Sequence, residues 1–476
     1  MALEEIRENY IKKAEAVRTA GLNPYPNKGR RDFFVSEAIE KFEELSASGK
    51  EIYLVGRIRL LRPHGGSCFA QIEDASGKIQ FYFKKDILTE NYEFFLDNFD
   101  VGDFIEAKGK LFVTKRGEKT LEVEEFKMLA KVSRPLPEKW HGLKDLEERS
   151  RKRYLDLIMN SESRANFKKR SEVISKLRKF LEEEGFTEVE TPILQPLPGG
   201  ALAKPFKTHL NALDLDLYLR IAPELYLKRL LVGGMEKVFE IGKCFRNEGM
   251  DATHNPDFTE AEFYWAYADY NDLMSLTEKM FEHLVPEKEI EFNGEKINLE
   301  APWKRITMRD LIFGELNIDI EKATSEECML KLKELGAKPE DDKHCLAIDA
   351  LFKVLRPKIL KPTFVIDYPV EMSPLAKSKE GNPKITERFQ LIIGGLELVN
   401  AYSELNDPQE QAKRMQEQVK KHGEDVRYDA DYIEAMEYGM PPAAGWGMGI
   451  DRLVSLLTDS HNLRDVILFP TMRPKN

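Results

Sequence analysis

The apolar positions at the start of the chain recur every three or four residues. Within residues 3–20 they are Leu3, Ile6, Tyr10, Ala14 and Val17. This spacing predicts an amphipathic helix, and Gly21 and Pro24 mark its end. A packing or solvated arm explains such a helix better than a membrane segment does. We therefore assign residues 1–50 to an N-terminal helical arm.

The pattern then changes to short runs rich in strand-forming residues. These runs are IYLVGRIRLL, CFAQIEDASGKIQFYF, DFIEAKGKLFVT and TLEVEEFKML, with Gly65-Gly66, Ser76-Gly77 and Gly117 at the turns. Four or five antiparallel strands in about 80 residues are typical of a small barrel, and the oligonucleotide-binding type is the first candidate. We predict an oligonucleotide-binding barrel (OB-fold) over residues 51–133 and a linker over residues 134–160.

Helical and strand patterns are mixed from residue 167 onward. Residues 167–184 have helical spacing closed by Gly185, residues 391–405 alternate like a strand, and residues 450–457 predict a buried helix. Residues 271–362 predict a helical insertion. Within it, EIEFNGEKINL predicts a small hairpin, because Asn293-Gly294 is a strong two-residue turn signal.

Residues 238–267 predict an antiparallel hairpin with one apolar and one polar face. The apolar face carries Phe239, Ile241, Phe245, Phe263, Trp265 and Tyr267. The polar face carries Gly242, Cys244, Arg246, Glu248, Glu260, Glu262 and Tyr264. A loop between the strands contains His254 and ends at Phe258.

The residue types of this hairpin suit a nucleotide. A guanidinium binds a phosphate or carboxylate bidentately, a histidine adds a donor, and an aromatic ring stacks on a purine. A solvated charged face is the alternative for any single residue. The chain has no G-x-x-x-x-G-K-[ST] loop, and Gly445, Gly447 and Gly449 are spaced G-x-G-x-G rather than G-x-G-x-x-G.

Composition narrows the class of protein. A chain of 476 residues with 42% apolar residues has room for two or three domains. No apolar run approaches the roughly 20 residues that span a bilayer, and the acidic N-terminus is unlike a secretory signal, so we expect a cytoplasmic protein. The four cysteines, Cys68, Cys244, Cys328 and Cys345, form no C-x-x-C pair, and neither a disulfide framework nor a zinc site has support. A net charge of −11 leaves nucleic-acid binding open, because a local basic patch suffices.

Several segments resemble a known enzyme family. FRNEG with HNPDFT and GMGIDR resemble motifs 2 and 3 of class II aminoacyl-tRNA synthetases, and FLEEEGFTEVETPIL resembles motif 1. The segments PGGALAKPFKTHLNALDLDLYLRIAPELYLKRL, NAYSELNDP and LRDVILFPTMRP are similar to the lysyl-tRNA synthetase family. The resemblance runs from the N-terminal arm to the C-terminus.

This resemblance implies a fold and an activity. Residues 161–476 would be an α/β (α+β) catalytic domain built on an antiparallel sheet flanked by helices, and the barrel would bind the anticodon. The enzyme would activate L-lysine with ATP to lysyl-adenylate, with Mg²⁺ as cofactor, and transfer it to the 3′ end of tRNA(Lys). Motif 1 implies a homodimer. Lysylation of a protein acceptor and a non-catalytic tRNA-binding scaffold are the alternatives.

The resemblance also assigns roles to individual positions. The catalytic positions are Arg246 and Arg452. ATP would be bound by Arg246, Glu248, His254, Phe258 and Arg452, with adenine between Phe258 and Arg452. Lysine would be bound by Gly200, Glu224, Glu262, Tyr264, Asn400 and Glu404. The anticodon would be bound by Phe69, Gln80 and Glu118. The metal ligand would be Glu397.

One position departs from the family pattern. The family usually has an acidic residue where this chain has Gln390, and a neutral amide oxygen is a weaker ligand for a hard cation. The magnesium prediction therefore rests on Glu397. In a regular strand Glu397 would face away from Asn400 and Glu404. If all three line the pocket, as the resemblance implies, we predict a bulge or twist between Glu397 and Asn400.

Two basic runs, RSRKR at 149–153 and KKR at 168–170, have two interpretations. They could contact the tRNA backbone, or they could be solvated helix faces. We favour the solvated faces, because a charge run on a helix is usually exposed.

Overall fold

The computed structural model describes residues 3–137, 145–337, 344–422 and 428–474, and in residues 421–422 it describes the backbone only. Two compact units make up the chain, Met1–Leu143 and Lys144–Asn476. Residues 138–144 of the predicted linker and residues 338–343 of the predicted insertion lie outside the described residues. In the described residues, no helix is long and apolar enough to cross a membrane.

The first unit consists of five helices and a closed five-stranded barrel. Its helices are α1 (Leu3–Thr19), α2 (Val35–Glu40), α3 (Phe42–Ser48), α4 (Lys85–Leu88) and α5 (Glu90–Asn98). Its strands are β1 (Ile52–His64), β2 (Ser67–Glu73), β3 (Lys78–Lys84), β4 (Phe104–Val113) and β5 (Lys119–Ala130). The predicted amphipathic helix is confirmed as α1, which buries Ala14 and Val17.

The barrel closes in the strand order β1-β2-β3-β5-β4. The expectation of purely antiparallel strands was wrong for one pair, because β3 and β5 run parallel. Alternate side chains of β2 and β3, such as Cys68, Ala70, Phe81 and Phe83, fill the interior. The intervening residues of both strands therefore point outward.

The second unit is built around a large sheet. Its helices are α6 (Leu146–Arg151), α7 (Arg153–Met159), α8 (Ser161–Glu183), α9 (Glu224–Val232), α10 (Tyr270–Leu284), α11 (Met308–Leu316), α12 (Ser325–Glu334), α13 (His344–Leu355), α14 (Pro408–His422), α15 (Ala430–Glu437) and α16 (Ile450–Leu457). Short 3₁₀ helices span Arg356–Lys358, Val370–Met372 and Leu463–Asp465.

The strands of the second unit form three sheets. They are β6 (Thr187–Glu188), β7 (Leu194–Gln195), β8 (Lys207–Leu210), β9 (Leu215–Leu219), β10 (Lys237–Phe245), β11 (Asp257–Ala266), β12 (Glu289–Phe292), β13 (Glu295–Asn298), β14 (Lys304–Thr307), β15 (Thr363–Pro369), β16 (Ser378–Lys379), β17 (Asn382–Ile393), β18 (Leu396–Ser403) and β19 (Ala443–Gly449). The large sheet has nine strands in the order β14-β15-β17-β18-β19-β11-β10-β6, with β16 paired to β17. Most neighbours are antiparallel, and β14–β15 and β10–β6 are parallel.

One face of the large sheet is apolar and packs under helices α8, α10 and α16. Phe239, Phe263 and Trp446 lie in this core, which also contains Leu273 of α10. Because side chains alternate along a strand, the residues between these ones face the opposite side of the sheet. That opposite side is the polar face.

The predicted hairpin of residues 238–267 is confirmed as β10 and β11, with Glu240 paired to Glu262. The alternation of apolar and polar residues, predicted to reach Tyr267, ends one residue before it. Tyr267 follows the strand with φ of 64° and is 70% exposed, so it is not part of the apolar face. The predicted small hairpin is also present as β12 and β13, with Asn293 and Gly294 at positive φ in its turn.

The segment 391–405 is not one strand, as its alternation suggested. Gly394 and Gly395, with φ of 60° and 77°, form a turn between β17 and β18. The predicted bulge is confirmed: Leu391 pairs with Val399, but Ile392 pairs with Glu397. The extra residue, Leu398, places Glu397 and Asn400 on the same side of the sheet.

The two basic runs are partly structural. Arg153 is 1% exposed, its Nη1 lies 2.6 Å from Oδ2 of buried Asp156, and it donates to the backbone oxygens of Arg464 and Leu468. Arg170 pairs with buried Asp451 through Nη1 and Oδ1 at 2.5 Å. The solvated-face interpretation was therefore wrong for these two arginines, which tie helices α7 and α8 to the C-terminal segment.

Replacing Arg153 tests this role. Arg153→Met leaves Asp156 as a buried charge with one fewer partner, and breaking a buried pair costs about 3–5 kcal/mol. We expect a clear drop in the thermal unfolding midpoint. The control is Arg151→Met, which removes a more exposed pair with Glu147 and should cost less than about 1 kcal/mol. Equal effects of the two variants would contradict this assignment.

Candidate active site

Three glycines of β19 lie on the polar face, below the side chains of the neighbouring strands. Gly445, Gly447 and Gly449 pair with Tyr264, Glu262 and Glu260 of β11. A Cβ atom on Gly445 would stand 2.1 Å from Oε1 of Glu404 and 2.5 Å from Cε1 of Tyr264. Glycine is required there because the strand must leave space for these side chains. The G-x-G-x-G spacing is therefore a strand feature rather than a phosphate loop.

A cavity of about 270 Å³ opens on this face. The residues predicted to bind the nucleotide and the metal come together there. Those that line it are Arg246, Glu248, His254, Phe258, Arg452 and Glu397, and the predicted lysine-binding residue Asn400 lines it as well. Glu248 and His254 are exposed at the rim, and the remaining residues are half-buried.

Arg246 and Arg452 are the two arginines that line the cavity. The guanidinium of Arg246 lies 4.9 Å from the ring centroid of Phe258, and its buried Nε has no hydrogen-bond partner. Nη1 of Arg452 donates to the backbone oxygen of Glu397 at 3.2 Å. Nη2 of Arg452 lies 3.5 Å from Nε2 of His254. Two guanidinium groups and an imidazole around one cavity are suited to an anionic ligand.

A carboxylate cluster lies on the same face, between β11, β18 and α9. Lys228 is fully buried, with Nζ 2.5 Å from Oε1 of Glu224 and also paired with Oε2 of Glu404. The hydroxyl of Tyr402 donates to Oε1 of Glu224 at 2.7 Å, and Tyr264 donates to Oε2 of Glu262 at 3.0 Å. The cluster therefore holds three predicted lysine-binding carboxylates and one unexpected cation.

The last two predicted lysine-binding residues flank this cluster. Gly200 has φ of 87°, and a Cβ on it would stand 3.1 Å from Cβ of Glu224, so its backbone lies against that side chain. Asn400 accepts a hydrogen bond at Oδ1 from Nε of Arg388 at 2.8 Å. This bond fixes the amide orientation and leaves the NH₂ group of Asn400 as a donor towards the cavity that Asn400 lines.

Burial controls the protonation of the cluster. It raises the pKa of Glu404 to about 8, although the Lys228 ammonium opposes the shift. Burial and the neighbouring Glu260 raise the pKa of Glu262 well above its ordinary value. Burial acts to lower the pKa of Lys228, but Glu224 and Glu404 outweigh it and raise that pKa. Lys228 therefore stays charged, and burial favours the neutral forms of Glu262 and Glu404 until a further cation compensates them.

The predicted anticodon residues share the outer face of the barrel in the first unit. Phe69 stacks on Tyr82 with ring centroids 4.6 Å apart. Nε2 of Gln80 donates to Oγ1 of Thr120 at 2.9 Å, and that hydroxyl donates to the backbone oxygen of Glu118 at 3.1 Å. The half-buried rings and the exposed Glu118 side chain can therefore contact one ligand.

Comparison with known proteins identifies the family. The family model "tRNA synthetases class II (D, K and N)" matches residues 145–473, and the OB-fold nucleic acid binding domain model matches residues 52–129. A lysine–tRNA ligase of Fervidobacterium nodosum is 47% identical over 99% of this chain and 95% of its own length. One of Carboxydothermus hydrogenoformans is 49% identical over 100% and 99%, and one of Thermotoga maritima is 45% identical over 99% and 97%.

The chain belongs to the lysine–tRNA ligase family. The predicted fold class is therefore confirmed, with an OB-fold barrel and a class II synthetase domain on a largely antiparallel sheet. The predicted family resemblance is confirmed as well.

Three residues in or beside the cavity and the carboxylate cluster were absent from the predicted set. Lys228 stands one helical turn after Glu224, and an i, i+4 acid–base pair within the apolar helix ELYLKRLLV was the available signal. Glu260 lines the cavity and has an unpartnered buried Oε2. Arg356, which pairs with Glu397, gave no sequence signal because the two residues lie in different elements.

Glu397 stays a predicted metal ligand, in a family that is generally magnesium-dependent. Oε1 of Gln390 accepts a hydrogen bond from the hydroxyl of Tyr368 at 3.0 Å, and Gln390 does not line the cavity. Glu397 is paired with Arg356 at 2.9 Å. In the part of the chain that the structure describes, no group of three or more His, Cys, Asp or Glu side chains is placed to hold a metal ion.

The raised pKa of Glu404 predicts a pH-dependent stability. Between its ordinary value of 4.5 and about 8, the folded protein keeps a proton on Glu404 that the unfolded chain loses. Folding thus binds a proton, so this contribution is complete below 4.5 and is lost as the pH rises through 8. We expect the unfolding midpoint of the wild type, measured relative to Glu404→Gln, to fall from pH 5 to pH 8.

The control for this pH series is Glu434→Gln, because Glu434 is an exposed residue of α15. The difference between the wild type and this control should not change with pH. A constant difference between the wild type and Glu404→Gln would contradict the raised pKa.

Proposed function

We propose that residues 144–476 join lysine to ATP and then to tRNA, with the side chains of the polar face in the roles given below. The observation that carries this proposal is the buried carboxylate Glu404, 1% exposed, on the same face as a cavity lined by two arginines. A buried carboxylate selects a cationic side chain, and the arginines select phosphates. Lysine supplies the cationic side chain, and ATP supplies the phosphates.

The nucleotide would occupy the 270 Å³ cavity. Adenine stacks on Phe258 and is covered by Arg452, Glu248 accepts from the adenine amino group, and His254 donates to the outer phosphates. Arg246 leaves the Phe258 ring and donates to the α-phosphate, which gives its unpartnered Nε an acceptor. The cation–π contact in the free protein keeps this guanidinium close to its working position.

Lysine would bind along the carboxylate cluster. Oε1 of Glu404 has no hydrogen-bond partner and accepts from the ε-ammonium, together with the Tyr264 oxygen. Glu224 and the Gly200 backbone hold the α-amino group, and Glu262 and Asn400 line the passage between the two ends. The substrate cation then joins Lys228 as a second counter-charge for the cluster.

The first step is attack of the lysine carboxylate oxygen on the α-phosphorus. A bond forms between the carboxylate oxygen and the α-phosphorus. The bond between the α-phosphorus and the oxygen that bridges to the β-phosphate breaks, and pyrophosphate leaves with that electron pair. Arg246 contacts both the carboxylate and the α-phosphate, so it stabilises the charge that grows between them. In the second step a ribose hydroxyl of tRNA attacks the lysyl carbonyl and AMP leaves. Neither step needs a protein nucleophile, and positioning supplies much of the rate.

The barrel would bind the anticodon of tRNA(Lys). Phe69, already stacked on Tyr82, extends that stack to a base, which contributes roughly 1–3 kcal/mol. Gln80 and Glu118 read base edges by hydrogen bonds. Gln80 is held in place by Thr120, so its free carbonyl oxygen has a fixed direction.

The chain would act as a homodimer through the motif 1 segment, residues 180–194. Ile193 and Leu194 of this segment are 44% and 46% exposed, and neighbouring apolar side chains of this kind are typical of a covered surface. ATP would enter with Mg²⁺, and the tRNA substrate supports a cytoplasmic location.

Substitution of Glu404 tests lysine recognition. Glu404→Gln keeps the shape but cannot form the carboxylate that pairs with the bound ε-ammonium, so we expect kcat/KM for lysine in ATP–pyrophosphate exchange to fall by about 10³-fold. The Kd for ATP should change less than about twofold, and Glu434→Gln should match the wild type. Exchange should be assayed with all twenty amino acids. Equal loss of lysine and ATP binding, or exchange with another amino acid, would contradict the assigned pocket.

Substitution of Gln80 tests the barrel surface. Gln80→Ala removes one base-reading hydrogen bond, worth about 1 kcal/mol, so kcat/KM for tRNA(Lys) should fall roughly fivefold. Lysine-dependent pyrophosphate exchange should be unchanged, because it needs no tRNA. Gln409→Ala, an exposed glutamine of α14, is the matched control. A slower exchange reaction in Gln80→Ala would place its effect outside anticodon binding.

A further inference from the structure

The backbone fixes Arg356 beside the predicted nucleotide site. The amide groups of Gly394 and Gly395 donate to the backbone oxygens of Leu360 and Ile359 at 2.8 Å and 2.9 Å. A Cβ on Gly395 would stand 3.0 Å from Cα of Pro357, so only glycine allows this approach. The segment that carries Arg356 is therefore held against the turn that leads into Glu397.

The guanidinium of Arg356 lies where a cation would bind to Glu397. Its Nη1 is 2.9 Å from Oε2 of Glu397, and the two side chains are 30% and 24% exposed. The Nε of Arg356 is buried and has no hydrogen-bond partner, so this side chain keeps an unused donor. Glu397 itself lines the nucleotide cavity.

The neighbouring position carries no charge. Gln390 pairs with Asn400 in the strand register, and its side-chain oxygen is occupied by the Tyr368 hydroxyl. The charges of Glu397 and Arg356 therefore cancel, and Gln390 adds no charge. Carboxylates at both 390 and 397 would instead sum to −2, which is the charge that a divalent cation compensates.

We propose that Arg356 takes the place of one divalent cation at Glu397, so that this enzyme binds its nucleotide with one metal ion fewer than a site with carboxylates at both 390 and 397. A fixed guanidinium supplies positive charge and directed N–H donors to a phosphate, and it also repels a metal ion from Glu397. The inference rests on the proposed placement of ATP in this cavity.

The test counts metal ions in the full-length enzyme. Mn²⁺, observed by electron paramagnetic resonance, is titrated in the presence of lysine and α,β-methylene-ATP, which cannot release pyrophosphate. The variants are Arg356→Gln, Arg356→Lys and the double variant Arg356→Gln with Gln390→Glu. Arg309→Gln is the matched control, because it removes an arginine–carboxylate pair with Asp319 in the same region of the chain. Thermal unfolding checks that each variant is folded.

The wild type, Arg356→Lys and Arg309→Gln should bind one Mn²⁺ fewer per chain than the double variant. Arg356→Gln alone should bind Mn²⁺ at Glu397 about tenfold more tightly than the wild type, and this comparison suffices if the double variant does not fold. Equal Mn²⁺ numbers in the wild type and the double variant, or unchanged Mn²⁺ affinity in Arg356→Gln, would overturn the inference. Failure of the wild type to bind the nucleotide analogue would instead overturn the proposed site, and the inference with it.

Discussion

The ammonium of Lys228, shared by Glu224 and Glu404, is the interaction on which the polar face depends. Moving a carboxylate out of water costs several kcal/mol, and two carboxylates close together repel each other as well. A fully buried cation between them offsets part of both effects. The helix α9 supplies this cation from one turn beyond Glu224, so the cluster is organised before any ligand arrives. A cationic ligand then meets carboxyl groups that already have fixed positions.

The rest of the polar face follows from strand geometry. Alternation places every second residue of β11, β18 and β19 on one side. Gly445 of β19 leaves the space that the side chains of Glu404 and Tyr264 occupy. Carboxylates and the Tyr264 ring can then lie over that strand rather than stand beside it. The apolar side of the same strands packs under three helices, which fixes the sheet as a rigid base. Buried charge on one face is thus supported by a large apolar core on the other.

Local patterns predicted the local parts of this arrangement. The hairpin β10–β11, the helix α1 and the Asn293-Gly294 turn each depend on residues close together in the sequence, and all are present. The bulge before Asn400 was predicted because the resemblance placed Glu397 and Asn400 in one pocket, and it is present as well. The predicted nucleotide-binding residues came from motif resemblance, and all five line one cavity. The parallel pair β3–β5 was not predicted, because alternation within a strand carries no information about the direction of its neighbour.

Side-chain pairs between segments far apart along the chain could not be predicted from the sequence either. Arg153 and Arg170 looked like members of solvated basic runs, because the Arg464 carbonyl that Arg153 contacts and the Asp451 carboxylate that Arg170 contacts are far away along the chain. Lys228 looked like an ordinary helix lysine, since its second partner, Glu404, belongs to another element. Charge runs report composition, whereas burial is decided by the tertiary fold.

The bulge at Leu398 makes the length of its segment as important as its composition. Loss of one residue between Glu397 and Asn400 would restore a regular ladder and rotate Glu397 into the apolar side, although every remaining side chain would be unchanged. Many substitutions at Leu398 preserve the count and therefore the geometry. Insertions and deletions at this point are a more severe class of change than replacements, which is the reverse of what holds for surface loops.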